Sequence, residues 1–143
     1  MEIDEYMIKM LDETIQYYTI NHGVVVEHNK RITVENRNVE TTVLNGRFSS
    51  GMTVYTPTID AWIKENPKNK LQTEFRRKFI LLCLLRHVSG DWGKLCVEDF
   101  HENEFSLANG ERIMSVYELE NQTIWVITEW NHEVTTVLDP DDY

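Results

Sequence analysis

Apolar residues recur at helical spacing near the N-terminus, at Ile3, Met7, Leu11 and Tyr18, with Thr14 completing the stripe. This predicts a helix over residues 3–20, stopped by Asn21-His22-Gly23. Three short β-prone pieces follow at Val24–Glu27, Arg31–Glu35 and Val39–Leu44, separated by Asn29-Lys30 and Asn36-Arg37-Asn38, and they predict a small meander. Residues 47–58 read as irregular or extended. Thr58 or Asp60 is positioned to cap a short helix that ends before Asn66-Pro67.

From Leu71 to His87 the pattern is that of a core helix. Phe75, Phe79, Leu82 and Arg86 share one face and Ile80, Cys83 and Leu84 a second, with Arg76, Arg77 and Lys78 toward its basic end. Val97–Asn109 predicts another helix, with acids Glu98 and Asp99 at its start and Asn109-Gly110 as a left-handed cap. Its apolar stripe is Val97, Phe100 and Leu107, and Asn103 falls on the same stripe. The tail, Arg112–Leu119, Thr123–Trp130 and Glu133–Leu138, alternates as three strands with tight connections. The expected fold is α+β: an apolar central helix and a second helix on a C-terminal three-stranded antiparallel meander, with an N-terminal helix and small meander (1–46) added to a module at 47–143. The tetrapeptide Thr-Thr-Val-Leu occurs at 41–44 and again at 135–138, which is read as chance within the small strand alphabet.

The chain has 143 residues, enough for one domain with a sizeable core. No apolar run reaches the ~18–20 residues of a membrane span. The acidic start MEIDEYMIKM lacks the basic region of a secretory signal. Cys83 and Cys96 form no metal-ligand or disulfide pattern, so a reducing, cytoplasmic setting is expected, without cofactor or metal. Charge is unevenly placed. Residues 47–87 hold eight bases against three acids, whereas residues 88–143 hold 13 acids against two bases. An acidic C-terminal part repels nucleic acid and suits a basic partner protein.

Chemistry is densest in His87-Val88-Ser89-Gly90-Asp91-Trp92-Gly93, at the end of the central helix. Gly90 and Gly93 permit sharp turns, Asp91 can accept from turn amides, and Trp92 can fold onto the core. His87 is the residue that a purely structural turn does not require. The candidate set is His87, Gly90, Asp91, Trp92 and Gly93, joined by Asp99, Asn103 and Arg112 from the segment that follows. A buried Asn103 needs a hydrogen-bond partner, for which Asp91 or the turn backbone is expected. His87, Asp91, Asp99 and His101 offer mixed N/O ligands, but their spacing matches no metal motif. Ser89 lacks a nucleophile elbow, and Cys83 lies among leucines.

From about Phe48 to Tyr143 the chain resembles a family of small, uncharacterised proteins of bacterial phages, plasmids and integrated elements. The resemblance is carried by Gly51, Thr56, His87–Gly93, Leu95, Glu98-Asp99, Asn103, Gly110, Arg112-Ile113, Ser115, Tyr117, Ile124-Trp125, Ile127-Thr128-Glu129, Val134-Thr135-Thr136, Leu138, Pro140 and Tyr143. It implies a mobile-element origin and a shared domain, and brings no activity with it. Members usually have an acid where this chain has Lys94 and an arginine where it has His132. The expectation is a non-catalytic accessory protein that binds and modulates a host or element-encoded protein, such as a restriction or CRISPR nuclease. It binds no nucleic acid directly and no membrane. The alternative is a small hydrolase or nuclease built on His87, Asp91, Asp99 and Asn103; a third is a subunit that homodimerises through sheet edges.

Overall fold

In the computed structural model, which describes residues 2–143, the chain adopts a mixed α+β fold. The elements are α1 (Glu5–Asn21), β1 (Val25–Val34), β2 (Arg37–Asn45), β3 (Met52–Tyr55), α2 (Pro57–Ile63), α3 (Lys70–Val88), α4 (Val97–Asn109), β4 (Ile113–Leu119), β5 (Gln122–Thr128) and β6 (Val134–Leu138), ending in a 3₁₀ turn at Pro140–Asp142.

The central helix α3 has two buried faces because its apolar positions run almost all the way round. Ile80, Cys83, Leu84 and Val88 meet Ile113, Tyr117, Ile124, Val126 and Val137 of the sheet in the main core. On the other side Phe75 and Leu82 meet Ile8 and Leu11 of α1. Val24 and Leu44 join the main core, so the N-terminal 46 residues share it with the rest of the chain. Among the described residues no helix is long and apolar enough to cross a membrane.

The tail is more than a three-stranded meander. β4, β5 and β6 are antiparallel as expected, but β3 adds to β6 in parallel, giving a four-stranded mixed sheet of order β3-β6-β5-β4. The four residues of β3 lie in the stretch read as irregular, because a short strand paired parallel to one some eighty positions later leaves no local mark. The N-terminal meander is a two-stranded hairpin instead. Its first two predicted pieces are one strand broken by a bulge between Glu27 and Lys30. The reversal is the two-residue turn Glu35-Asn36, both at positive φ, as such hairpins require. Thr56, not Thr58 or Asp60, caps α2: its hydroxyl accepts from the Ile59 N–H, and Pro57 opens the helix.

Two surface expectations are also corrected. Arg76 is no part of a basic patch, because it is buried, its guanidinium 4.7 Å from the Trp62 ring centroid and donating to the Trp62 carbonyl. On α4 the face turned inward carries Asn103 and Ser106, which leaves Val97 72% and Phe100 44% exposed.

Candidate functional site

The glycine block separates into an inward half and an outward half. His87 points inward and is fully buried. Its Nδ1 meets the hydroxyl of Ser115 on β4, and its Nε2 lies 2.9 Å from Thr128 Oγ1 on β5. The chain continues from Thr128 Oγ1 to Thr135 Oγ1 on β6 at 2.7 Å, and the Thr135 hydroxyl donates to the Ser50 carbonyl at 2.6 Å. A carbonyl only accepts, so proton directions follow link by link. The Thr135 proton goes to Ser50, so Thr135 Oγ1 accepts from Thr128. The Thr128 proton is thereby committed, and Thr128 Oγ1 accepts from His87. His87 is therefore the Nε2–H tautomer, with Nδ1 accepting from Ser115. Burial, with a smaller contribution from nearby His132, pushes its pKa down to about 3, so the ring is neutral.

Asp91 faces outward. Its carboxylate accepts from Arg86 through Nε (2.8 Å) and Nη2 (3.2 Å), from the Tyr18 hydroxyl (2.9 Å) and from the Gly93 N–H (3.3 Å). Burial acts to raise its pKa, but the Arg86 and Tyr18 hydrogen bonds outweigh that and hold it below the usual value. Arg86 lies 4.7 Å from the Tyr117 ring centroid, and the Tyr117 hydroxyl donates back to the Asp91 carbonyl. This cluster locks α1, α3 and β4 together.

Trp92 is buried, and its indole N–H donates to Glu104 of α4 at 2.9 Å. Arg47 clamps the same carboxylate through both terminal nitrogens at 3.2 Å each. Gly90 gives Arg47 room, since a Cβ there would stand 2.2 Å from its Nη1. Gly93 is required more strictly. At φ +72° its Cβ position lies 1.9 Å from the Val116 carbonyl oxygen. That close approach lets residues 92–94 pair in parallel with the outer edge of β4: the Val116 N–H donates to the Trp92 carbonyl at 3.1 Å, and the Lys94 N–H to the Val116 carbonyl at 2.7 Å. The block thus supplies a stub of strand.

Asn103 completes that edge. Its Oδ1 accepts from the Met114 N–H at 3.2 Å while its Nδ2 donates to the Met114 carbonyl, so its partner is neither Asp91 nor the turn. Arg112 joins Glu129 (Nη2–Oε1, 2.9 Å) and the Tyr143 hydroxyl (2.7 Å) rather than Asp99. Asp99 and His101 are exposed on α4, and Ser89 donates to the Leu85 carbonyl. Among the described residues no group of three His, Cys, Asp or Glu side chains is arranged to hold a metal ion. Asp99, Asn103 and Arg112 line one cleft of about 200 Å³ beside α4, but His87 and Asp91 do not line it and bond to other partners, so the four residues of the hydrolase set are not gathered in one cleft.

The hydroxyls around His87 were missed from the sequence, though a signal existed. Ser115 lies on the inward face of β4 between Ile113 and Tyr117, Thr128 follows inward Ile124 and Val126, and Thr135 precedes inward Val137. Three inward polar residues on neighbouring strands mark a buried network.

The feature of this region that faces solvent is α4. Val97, Phe100 and Phe105 project outward, Phe105 being 58% exposed. Between Lys94 and Arg112 the chain carries five acids and no lysine or arginine. Only Glu104 of these is ion-paired among the described residues, with Arg47. No family model, curated relative or solved structure matches the chain.

Proposed function

We propose that the protein is a non-catalytic binding protein that docks on a basic partner protein through the outward face of α4. The observation that carries this reading is the set of exposed apolar side chains Val97, Phe100 and Phe105 on a helix whose Glu98, Asp99 and Glu102 have no ion-pair partner among the described residues. Apolar anchors supply burial, while the acids speed encounter and select a positive surface. The saturated hydrogen bonding of His87, Asp91 and Asn103 supports it too, since these groups are spent on holding the fold. With the mobile-element origin that the resemblance implies, the partner class is a nucleic-acid-processing host protein such as a restriction or CRISPR nuclease, whose basic channel α4 would occupy.

The test is inhibition and retention of purified nucleases by the tagged protein, beside a Glu98→Lys/Glu102→Lys variant and a Phe105→Ser variant. The reading requires a stoichiometric nuclease complex that loosens with rising salt, weakens in both variants and blocks DNA cleavage. Binding indifferent to salt and to both variants would sink it. Turnover of a nucleic acid or ester by the protein alone would move the assignment to the hydrolase class.

A further inference from the structure

Away from α4, a cleft lies where the hairpin, β3 and α3 meet. It has a volume of about 260 Å³ and is walled by His28, Thr42, Tyr55, Arg77 and Lys78 over a floor of Leu81 and Leu84. Three local features build it. The bulge between Glu27 and Lys30, with Asn29 at φ +54°, puts an extra residue into β1 and brings the His28 ring within 3.3 Å of the Thr42 hydroxyl. Bulges re-aim side chains in this way beside functional sites. β3 stops at Tyr55, which leaves that ring at the mouth. On α3, Arg77, Leu81 and Leu84 fall on one face at i, i+4 and i+7.

Two polar groups of this cleft, Arg77 and the Tyr55 hydroxyl, differ from those of the glycine block in being unspent among the described residues, whereas Lys78 is ion-paired and His28 and Thr42 meet each other. Among the described residues Arg77 has no ion-pair partner, whereas its neighbours Arg76 and Lys78 pair with Glu65 and with Asp12 and Glu74. The Tyr55 hydroxyl makes no hydrogen bond among the described residues. Burial raises its pKa while the Arg77 charge pulls the other way, so the two groups sense each other. Arg77 also borders an adjoining hollow lined by Lys64, Lys70 and Glu74, in which Lys64 is paired with Asp60. A guanidinium without a counter-ion, a hydroxyl donor beside it and an apolar floor are complementary to a ligand with an anionic head and an apolar body.

We propose that this cleft binds a small organic anion, its phosphate or carboxylate held by Arg77 and the Tyr55 hydroxyl and its apolar body laid on Leu81 and Leu84. The volume admits a ligand of roughly a dozen non-hydrogen atoms, below the usual drug-sized range. The His28 and Thr42 pair lines the opposite wall and contacts polar substituents. The site is independent of the α4 surface.

The experiment is an amide NMR titration of the full chain with phenyl phosphate, benzoate and inorganic phosphate in separate series. The expected result is saturable shifts at Thr42, Tyr55 and Leu81 with phenyl phosphate or benzoate, and the tighter of the two identifies the head group. Arg77→Gln, at an exposed position that leaves the core intact, should weaken binding about tenfold, the loss of one charge-assisted hydrogen bond. Tyr55→Phe should weaken it several-fold while keeping the ring. Shifts that never saturate, that lie elsewhere, or that survive Arg77→Gln would overturn the proposal. Inorganic phosphate binding as tightly as phenyl phosphate would overturn the role of the apolar floor.

Discussion

The side chain of Asn103 pairs with the backbone of Met114 as an adjacent strand would, donating to its carbonyl and accepting from its N–H at 3.2 Å. Two positions on, the outward groups of Val116 are met by Trp92 and Lys94. A helix amide and a three-residue stub together substitute for the strand that β4 lacks. Asn103→Ala should therefore cost about 2–3 kcal/mol, the penalty for stranding buried backbone groups. Asn103→Asp should cost more, because it faces the Met114 carbonyl with a negative oxygen. Urea unfolding of the three proteins checks the order; a neutral Asn103→Ala would refute the pairing.

The hydroxyl chain around His87 predicts a tautomer and a way to reverse it. Nitrogen NMR of the ring should show Nε2–H at neutral pH. Thr135→Val removes the acceptor that holds the Thr128 proton, freeing Thr128 to donate to Nε2. The ring proton then moves to Nδ1 and donates to Ser115. An unchanged Nε2–H signal in the variant would contradict the assigned proton directions.

Stability should fall in mildly acidic solution for a reason traceable to one ring. His87 stays neutral in the folded chain down to about pH 3, while the unfolded chain protonates it near its ordinary value of 6.5. Below 6.5 the unfolded state takes up a proton that the folded state does not, so stability is full above that pH and declines as pH falls toward 3. The slope approaches about 1.4 kcal/mol per pH unit. Asp91 and Glu104, whose carboxyls are held below their usual values, add losses only at the acid end of this range. Urea midpoints across pH 7 to about 4 measure the decline, and the ring's nitrogen shifts at pH 5 should still report a neutral imidazole. A flat profile over that window would show that His87 titrates normally.

Glycine substitutions should split sharply by position. Gly93→Ala places a methyl against the Val116 carbonyl and the Tyr117 ring and should prevent β4 from taking its stub, at a cost of about 3 kcal/mol or more. Gly110→Ala, with the same sign of φ but open space around it, should cost about 1–2 kcal/mol, the left-handed penalty alone. Equal losses in thermal unfolding would mean that close approach plays no part at Gly93.

Much of this architecture is legible in the sequence where periodicity is local. α3, whose apolar positions run nearly unbroken, and the tail strands with their alternation were placed within a residue or two. β3 was hidden because its partner is remote and its pairing parallel. On α4 the stripe of Val97, Phe100, Asn103 and Leu107 turns inward only at Asn103, which satisfies two edge groups of β4 as no phenyl ring can, and at Leu107, while Val97 and Phe100 are left exposed. The glycine block reads as turn or site from its residues, and what single-residue reading misses is that its backbone pairs with β4 as a stub of strand. Arg76 looked like surface charge because its partners, the Trp62 ring and carbonyl, lie on another helix.

The repeated Thr-Thr-Val-Leu segments flank β3 on its two sides. Thr135 pairs with Thr53 across the parallel ladder, and the Thr41 hydroxyl accepts the Thr53 N–H at 3.1 Å and donates to its carbonyl at 3.3 Å. Each border of the four-stranded sheet is thus closed by a side chain acting as backbone, Thr41 at one and Asn103 at the other, and the outer border of the hairpin is broken by its bulge. At those two borders of the four-stranded sheet an extended peptide meets a side chain where a free backbone group would stand. Recognition at these borders is accordingly written in side chains, residue by residue, rather than in backbone.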